Sequence, residues 1–173
     1  MNDVVWKWIE GYEGLYQISN RGEVKSFKGV NPRILKPGVN SGGYPCVDLR
    51  KDKKRINKRI HRLVAEAFLG DWDESKQVDH IDRDPLNNHI DNLRIASNSQ
   101  NQRNGISYKR SSSKYKNVSW HKQSSKWQVR IRVDGKKKHI GLFINEEEAG
   151  RAADKAARDF LSEEDLKYYR FNF

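Results

Sequence analysis

The sequence VDHIDRDPLNNHIDNLRIASNSQNQRN, residues 78–104, predicts a strand, a long loop, a second strand and a short helix. Residues 78–80 form the first strand and residues 93–95 the second. Ser97 followed by Gln100 is typical of the cap at the start of a helix. The segment therefore predicts a small unit of two strands and one helix, joined by a loop that is rich in Asp and Asn.

Four polar side chains in this segment suit the hydrolysis of a phosphodiester, which needs a cation near the phosphate and a base that takes a proton from water. Asp79 offers a carboxylate oxygen to Mg²⁺ or Mn²⁺, and Asn101 on the helix offers an amide oxygen. The imidazole of His80 can be the base, and the amide of Asn92 can accept from its ring N–H. The alternative is that Asp-His is ordinary turn chemistry and that the asparagines are loop residues.

Asp79 and His80 are neighbours, and neighbouring residues of a regular strand point to opposite faces. Both side chains can reach one phosphate only if His80 lies where the strand ends and the loop begins. Within the loop, residues 87–89 are expected to bond the backbone rather than to serve as ligands. His61, at the start of a predicted helix, is interpreted as a packed or capping histidine rather than a catalytic one.

The order Asp-His, then Asn before Leu-Arg, then Asn on the helix resembles the HNH ββα-metal motif, especially that of phage and intron-encoded homing endonucleases. The resemblance implies that His80 is the general base and that Asn92 orients it. It also implies that Asp79 and Asn101 bind one divalent ion, Mg²⁺ or Mn²⁺, and no zinc is expected. Arg83 departs from this subgroup, which often has glycine at the same position.

Charge is unevenly distributed along the chain, which has a formal net charge of +11 and a pI of about 9.7. Residues 25–62 and 103–138 are strongly basic, and residues 63–101 between them are mainly acidic. Basic stretches suit the phosphates of nucleic acid, and an acidic stretch between them suits a cation site. The alternative is a basic protein whose charge only keeps it in solution.

The 173 residues are enough for one ordinary domain or for two or three small ones. Only 35% are hydrophobic and 33% are charged, which favours several small modules. Cys46 is the only cysteine, so an internal disulfide and an all-thiolate zinc site are both excluded. Without a visible leader or long apolar run, we expect a cytoplasmic protein with no membrane partner, in the bacterial host cytoplasm if a phage encodes it.

The C-terminal part of the sequence predicts three strands and a closing helix. Apolar and polar positions alternate in residues 127–133, so one face of this strand is apolar and the other is basic. Asp134-Gly135 is a strong signal for a two-residue hairpin. Asn145 followed by Glu148 predicts a capped helix, whose alanine-rich stripe can lie close to the apolar face. The basic face could enter a major groove of DNA or could simply be solvated.

Residues 114–160 resemble the APETALA2-type DNA-binding domain, in segments such as YKNVSW (115–120) and HIGLF (139–143). The resemblance implies a three-stranded antiparallel sheet packed on one helix, with DNA contacts on the sheet. His139 stands where plant members often have tryptophan. The sheet positions that could contact DNA, by this resemblance or because they lie on the basic face, are Lys116, Lys126, Arg130, Arg132, Lys137 and His139.

Residues 6–27 contain Trp, Tyr-Glu-Gly, Tyr, Ser-Asn and Gly-Glu-Val in an order that resembles the N-terminal modular element often attached to phage homing endonucleases. They predict a small hairpin unit with a turn at residues 19–22. A second hairpin with a basic turn follows. The candidate phosphate contacts on this turn are Lys53, Lys54 and Arg55.

These patterns predict an α+β chain of several modules. Residues 1–58 form a β-rich DNA-binding module, and residues 59–104 form the ββα-metal nuclease domain, which begins with a helix over residues 60–69. Residues 105–115 have the composition of a linker. Residues 116–173 form the APETALA2-like DNA-binding domain.

The function predicted by the sequence is that of a site-specific DNA endonuclease of the homing type, dependent on Mg²⁺ or Mn²⁺ and acting as a monomer on double-stranded DNA. Because it contains one such motif, the monomer should nick one strand rather than cut both. One alternative is a DNA-binding regulator in which the HNH segment is only a scaffold. Another is an RNA-binding protein, although the exposed aromatic motif typical of that class is missing.

Overall fold

The computed structural model of the chain describes residues 3–70, 75–105 and 111–173. They form two compact units, Met1–Asn98 and Ser99–Phe173. The described ranges contain small antiparallel sheets of two to four strands together with short helices, as expected for a mixed α and β chain. No helix in these ranges is long and apolar enough to cross a membrane.

Among its described residues, the first unit contains three sheets and one main helix. A four-stranded sheet has the order β1 to β4, the next sheet has the order β5 to β7, and β8 pairs with β9. The bounds are β1 Trp6–Trp8, β2 Tyr16–Ser19, β3 Val24–Ser26, β4 Arg33–Ile34, β5 Gly38–Val39, β6 Pro45–Lys51, β7 Lys54–Arg59, α1 Ile60–Phe68, β8 Gln77–His80, a 3-10 helix Ile90–Asn92 and β9 Leu93–Ala96.

A single hydrophobic core connects these elements around α1. Leu63 and Val64 on the inner face of α1 pack in one cluster with Ile18 of β2, Leu49 of β6 and Leu93 of β9. The apolar stripe of α1 is the one that its helical spacing predicted. Because strands from both ends of the unit share this core, α1 fixes the strand pair β8–β9 against the N-terminal sheets.

In the described part of the second unit, a three-stranded sheet is covered by a helix, and a short α2 lies at the start. Val129 and Ile131, on the inner face of β11, lie in clusters with the alanines of α3. Alanine side chains are small, so the helix can approach the sheet closely. The bounds are α2 Asn98–Asn104, β10 Val118–His121, β11 Lys126–Val133, β12 Lys136–Phe143, α3 Glu146–Phe160 and α4 Glu163–Leu166.

Local signals predicted the turns and caps of the second unit correctly. Asp134 and Gly135 have φ angles of 47° and 76°, which a two-residue hairpin turn between β11 and β12 requires. The side chain of Asn145 accepts hydrogen bonds from the backbone N–H groups of Glu147 and Glu148 at the start of α3. Helix α4 had no counterpart in the prediction.

The boundaries between units differ from the predicted domains. The expected border at residues 58/59 crosses the shared core of the first unit. The border near residue 104 moves to Asn98/Ser99, so α2 from Ser99 onward belongs to the second unit. Of the expected linker, residues 106–110 lie outside the described residues. Ser113 is buried and donates to Glu146 at 2.8 Å, so the end of that segment is part of the second unit.

Candidate active site

His80 is the last residue of β8 and pairs with Leu93 of β9. The chain turns immediately after it, since the backbone N–H of Arg83 donates to the His80 carbonyl at 3.0 Å. Asp79, one position earlier, pairs with Arg94. Both Asp79 and His80 are buried, with exposed fractions of 4% and 6%. The strand thus ends at His80, where the expected site geometry requires it to end.

His80 is held by Asn88, a residue that we predicted only to bond the backbone of the loop. Asn88 Oδ1 lies 3.1 Å from His80 Nε2. The Asn88 amide nitrogen donates to the carbonyls of Pro85 at 3.2 Å and Leu86 at 3.1 Å. Because the amide N–H groups are used there, the oxygen faces the imidazole and accepts from it. In the neutral ring the proton is therefore on Nε2, and the lone pair is on Nδ1.

Asn92 braces the loop instead of making the contact with His80 that we expected. Its amide nitrogen donates to Asp82 Oδ1 and to the carbonyl of Asn87, both at 2.8 Å. Its Oδ1 accepts from the backbone N–H of Asp82 at 3.0 Å. The expectation that Asn92 bonds the imidazole is thus corrected. Asn88 makes that bond, and Asn92 holds the loop that carries Asn88.

The turn that follows His80 is built around an ionised carboxylate. Burial raises the pKa of Asp82, but hydrogen bonds from the Asp84 backbone and from Asn87 and Asn92 outweigh it and lower this pKa below the usual value. Arg83, inside the turn, has a φ of 67°, in the left-handed region that favours glycine. Arg83 in place of glycine therefore leaves the turn intact and adds strain to the backbone at this residue.

Asp79 forms an ion pair with Arg94 across the strand pair. Arg94 Nε and Nη2 each lie 2.8 Å from Asp79 Oδ2. The two side chains are 5% and 20% exposed, so the pair is shielded from solvent. The guanidinium holds the carboxylate in one orientation and keeps its charge compensated in a buried position. In the sequence, Arg94 was recognised only as part of the Leu-Arg motif, and no role was predicted for it.

The donors named for a divalent ion are oxygen atoms, a carboxylate at Asp79 and an amide at Asn101. In the described ranges, no group of three or more His, Cys, Asp or Glu side chains could hold a metal ion. Magnesium often takes one or two protein oxygens and completes its shell with water and phosphate. The chemistry of this donor set therefore fits Mg²⁺ or Mn²⁺. Asn101 lies on α2 in the second unit and is half-buried.

A second histidine lies beside the first. The ring of His61, at the start of α1, is 5.2 Å from the ring of His80 and meets it edge-on. The ring of Tyr44 lies 5.0 Å from His61 and 6.2 Å from His80. Nδ1 of His61 is buried without a hydrogen-bond partner among the described residues. The packing role expected for His61 agrees with these contacts, but its position next to His80 was not visible from the sequence.

We expect His61 to remain neutral in the folded protein well below neutral pH. Burial lowers its pKa to about 3, and the nearby charges of His80, Arg59 and Arg62 act in the same direction. In the unfolded chain the His61 ring binds a proton with a pKa near 6.5, whereas in the folded protein it stays neutral. The contribution of the neutral ring to the free energy of unfolding is therefore fully present above pH 6.5 and is lost as the pH falls below it. The loss approaches about 1.4 kcal/mol per pH unit.

Urea unfolding of the wild type and of His61→Phe between pH 6.5 and 5 measures this effect. The variant should lose less stability than the wild type over the interval, because it lacks the titrating group. An equal loss in both proteins would contradict the assignment. The ring signals of His61 in NMR spectra give an independent check, since they should not titrate over this range.

The basic face expected on the second unit is present on β11 and β12. The register pairs Arg130 with His139 and Arg132 with Lys137. These four side chains are exposed, and Lys126 near the start of β11 is half-buried. Arg130, Arg132 and Lys137 also line a cavity of about 480 Å³ beside α2. The predicted candidates thus lie on neighbouring strands of one sheet.

Lys116 has different contacts from those of a DNA-binding residue. Its ammonium group donates to the carbonyls of Gln102, Arg103 and Gly105 at the C-terminal end of α2. The ring of Tyr169 lies 4.9 Å from the same nitrogen. A positive charge at this end of a helix satisfies carbonyls that have no partner within the helix. Lys116 is therefore a helix cap in this structure, and we omit it from the proposed DNA contacts.

In the first unit, the basic turn between β6 and β7 is exposed as expected. Lys53 has a φ of 62° in this turn, and Lys54 begins β7. Arg55 is partly compensated, because its guanidinium forms an ion pair with Asp48 at 2.5 Å. The Arg55 side chain is still 62% exposed. The turn therefore presents Lys53, Lys54 and the paired Arg55 to solvent.

Two family models match the chain. The model described as HNH endonuclease matches residues 58–103. The model described as NUMOD4 motif matches residues 5–50. The first includes β8, its loop and most of α2, and the second includes the N-terminal strands through most of β6.

Similar proteins include phage endonucleases and a plant protein. DNA endonuclease I-HmuI of Bacillus phage SP01 is 41% identical over 102 residues, which are 59% of this chain and 58% of that protein. A solved structure that describes DNA binding and cleavage by the HNH homing endonuclease I-HmuI has a TM-score of 0.53 and 33% identity, covering 78% of this chain and 76% of that chain. The AP2-like ethylene-responsive transcription factor PLT2 of Arabidopsis thaliana is 31% identical over 164 residues, 89% of this chain but 25% of that protein.

The chain belongs to the HNH endonuclease family. This follows from the matching family model together with the solved relative, of which the chain covers about three quarters. The alignment with the phage endonuclease spans little more than half of that relative's length.

Proposed function

We propose that the chain is a site-specific, divalent-metal-dependent endonuclease of the homing type that nicks one strand of duplex DNA. The observation that carries the proposal is the pair Asp79 and His80 at the end of β8, with the Asn88 oxygen holding the imidazole at 3.1 Å. In this proposal the held imidazole serves as the base, and the buried carboxylate of Asp79 lies one position earlier in the strand. The family of the chain agrees with this chemistry.

In this proposal His80 takes a proton from the attacking water at Nδ1, because Nε2 carries the proton that is donated to Asn88. Asn88 keeps the ring in one tautomer and one orientation. Asp79, oriented by Arg94, and Asn101 are the residues that would hold one Mg²⁺ or Mn²⁺. The bound ion supplies positive charge for the scissile phosphate and the leaving oxygen.

The outer modules are proposed to bind the duplex on either side of the cut. In the second unit the proposed contacts lie on the basic face of the sheet, which suits a major groove. The similarity to a plant AP2-like factor supports an APETALA2-like role for this sheet. The proposed contacts are Lys126, Arg130, Arg132, Lys137 and His139 in the second unit, and Lys53, Lys54 and Arg55 in the first.

Nicking follows from the number of sites. One HNH motif per chain acts on one strand, so a monomer cannot cut both strands in one binding event. With supercoiled plasmid and Mg²⁺ or Mn²⁺, we expect relaxed circles to accumulate without linear DNA, and we expect no product with chelator present. The assay is agarose-gel analysis of a time course at several protein concentrations.

Linear product that forms at first order in dilute monomer would contradict nicking but not cleavage. Plasmid that stays supercoiled under every condition, while the protein still binds DNA, would instead favour the DNA-binding regulator. A cleavage-site selection from a random library then identifies the target sequence.

A further inference from the structure

The turn of residues 19–22, between β2 and β3, lies against the loop that holds His80. The backbone N–H of Ile90 donates to the carbonyl of Asn20 at 2.8 Å. A Cβ atom built on Gly22 would lie 2.8 Å from Cβ of Asn88 and 3.2 Å from Cγ2 of Ile60. Contacts below 3.0 Å force a neighbour to move. The absence of a side chain at Gly22 therefore makes room for Asn88.

This turn is held by several hydrogen bonds to its buried side chains. Ser19 is fully buried, and its hydroxyl accepts from the backbone N–H groups of Arg21 at 3.2 Å and Glu23 at 3.0 Å. The buried side chain of Asn20 accepts from the backbone N–H of Val5 at 3.0 Å. Gly22 has a φ of 82° and donates to the Ser19 carbonyl at 3.0 Å. Each end of the turn is thus fixed by hydrogen bonds before it meets the loop.

Asn88 connects the turn at Gly22 to the imidazole of His80. Asn88 is 5% exposed, so its side chain has little room to move. Its amide group bonds Pro85 and Leu86 on one side and His80 on the other. A shift of the Asn88 backbone away from the turn therefore changes the hydrogen bond that sets the tautomer of His80.

We propose that the turn of residues 19–22 positions the catalytic base, with Gly22 and Ser19 acting through Asn88. The N-terminal element then has a role in cleavage that is separate from any contact it makes with DNA. The inference rests on the proposed function for the effect on cleavage, but not for the effect on the imidazole itself. Misplacement of a reacting group by about 1 Å can cost about 100-fold in rate.

The test variant is Gly22→Ala, and the chain offers a matched control in Gly14→Ala. Gly14 has a φ of 74°, close to that of Gly22, but a Cβ there meets nothing within 4 Å. Both variants therefore place an alanine at a similar positive φ, and only Gly22→Ala pushes on Asn88. We expect Gly22→Ala to lower kcat by about 10- to 100-fold. Its Kd for DNA in the presence of chelator should stay within about twofold of the wild-type value, and Gly14→Ala should keep both values.

A second measurement does not depend on cleavage. Nitrogen NMR of the His80 ring in the full chain should show the Nε2–H form in the wild type and in Gly14→Ala, and changed ring signals in Gly22→Ala. If the wild type does not cut DNA, this readout still decides the inference. If the wild type cuts, equal kcat values for the two variants, or unchanged His80 signals in Gly22→Ala, overturn it.

Ser19→Ala keeps the inference testable if Gly22→Ala does not fold. The substitution adds no atoms and removes the acceptor for two backbone N–H groups, so the turn loosens without a clash. We expect a smaller decrease of the same kind, about threefold or more in kcat, with altered His80 signals and unchanged DNA binding in chelator. Wild-type kcat and wild-type ring signals in a folded Ser19→Ala protein overturn the inference.

Discussion

Replacing His80 with alanine is expected to lower the rate of DNA cleavage by about 100- to 10,000-fold, the range that general base catalysis contributes. The substitution removes the nitrogen that takes the proton from water. DNA affinity in chelator should change little, because the proposed phosphate contacts lie on the basic turn of the first unit and on the sheet of the second. The measurement is single-turnover cleavage of a labelled duplex.

The matched control is His121→Ala, which removes an imidazole that bonds Ser124 in the second unit at 2.8 Å. It should cleave at the wild-type rate within about threefold. Added imidazole should restore part of the activity of His80→Ala, because it replaces a base and not a packing contact. An alanine variant that folds, binds DNA and cleaves nearly as fast as the wild type would remove His80 from the mechanism.

Replacing Asn88 with alanine should lower kcat by about 10- to 100-fold, the usual cost of losing the partner that orients a functional histidine. The change deletes the oxygen that accepts from His80 Nε2, so the ring is free to adopt the other tautomer. Km for DNA should change little. Asn88→Asp keeps an oxygen acceptor at the same place and should recover part of the rate.

Asn92→Ala tests whether Asn92 acts on His80 only by holding the loop, whereas Asn88 bonds the imidazole itself. It removes three hydrogen bonds within the loop, so we expect a loss of stability as well as of rate. Asn88→Ala also removes three hydrogen bonds, so it should lose stability too, but it should in addition change the His80 tautomer directly. The opposite pattern, with Asn92→Ala altering the His80 tautomer and Asn88→Ala leaving it unchanged, would return the orienting role to Asn92. Thermal unfolding and histidine NMR of the two variants supply the comparison.

Short-range signals in the sequence predicted the local elements well. The 3.6-residue spacing in α1 and the alternation in β11 depend on neighbours a few positions away, and such neighbours are visible in the sequence. The same holds for the hairpin at Asp134-Gly135 and the cap at Asn145. The positions of Asp79 and His80 at the end of β8 belong to this group, because a strand followed by an Asp- and Asn-rich loop fixes where the strand ends.

Contacts between distant segments could not be read in this way. Asn88 and Asn92 are both asparagines in one polar loop, and only the fold decides which of them faces His80. Likewise, nothing near Lys116 in the sequence indicates that its ammonium group meets the end of α2 instead of solvent. The domain borders differ for the same reason, since the core around α1 joins strands that are far apart in the chain.

From its residues alone, then, the chain reveals an Asp-His pair, a strand-loop-strand-helix segment and two basic regions, since charge, spacing and turn chemistry are local properties. The tertiary structure decides which partners those residues have. In it, the His80 imidazole bonds Asn88, Asp79 pairs with Arg94, and the turn at Gly22 packs against the loop that carries Asn88. These contacts join segments up to dozens of residues apart, and packing of the shared core is what brings them together.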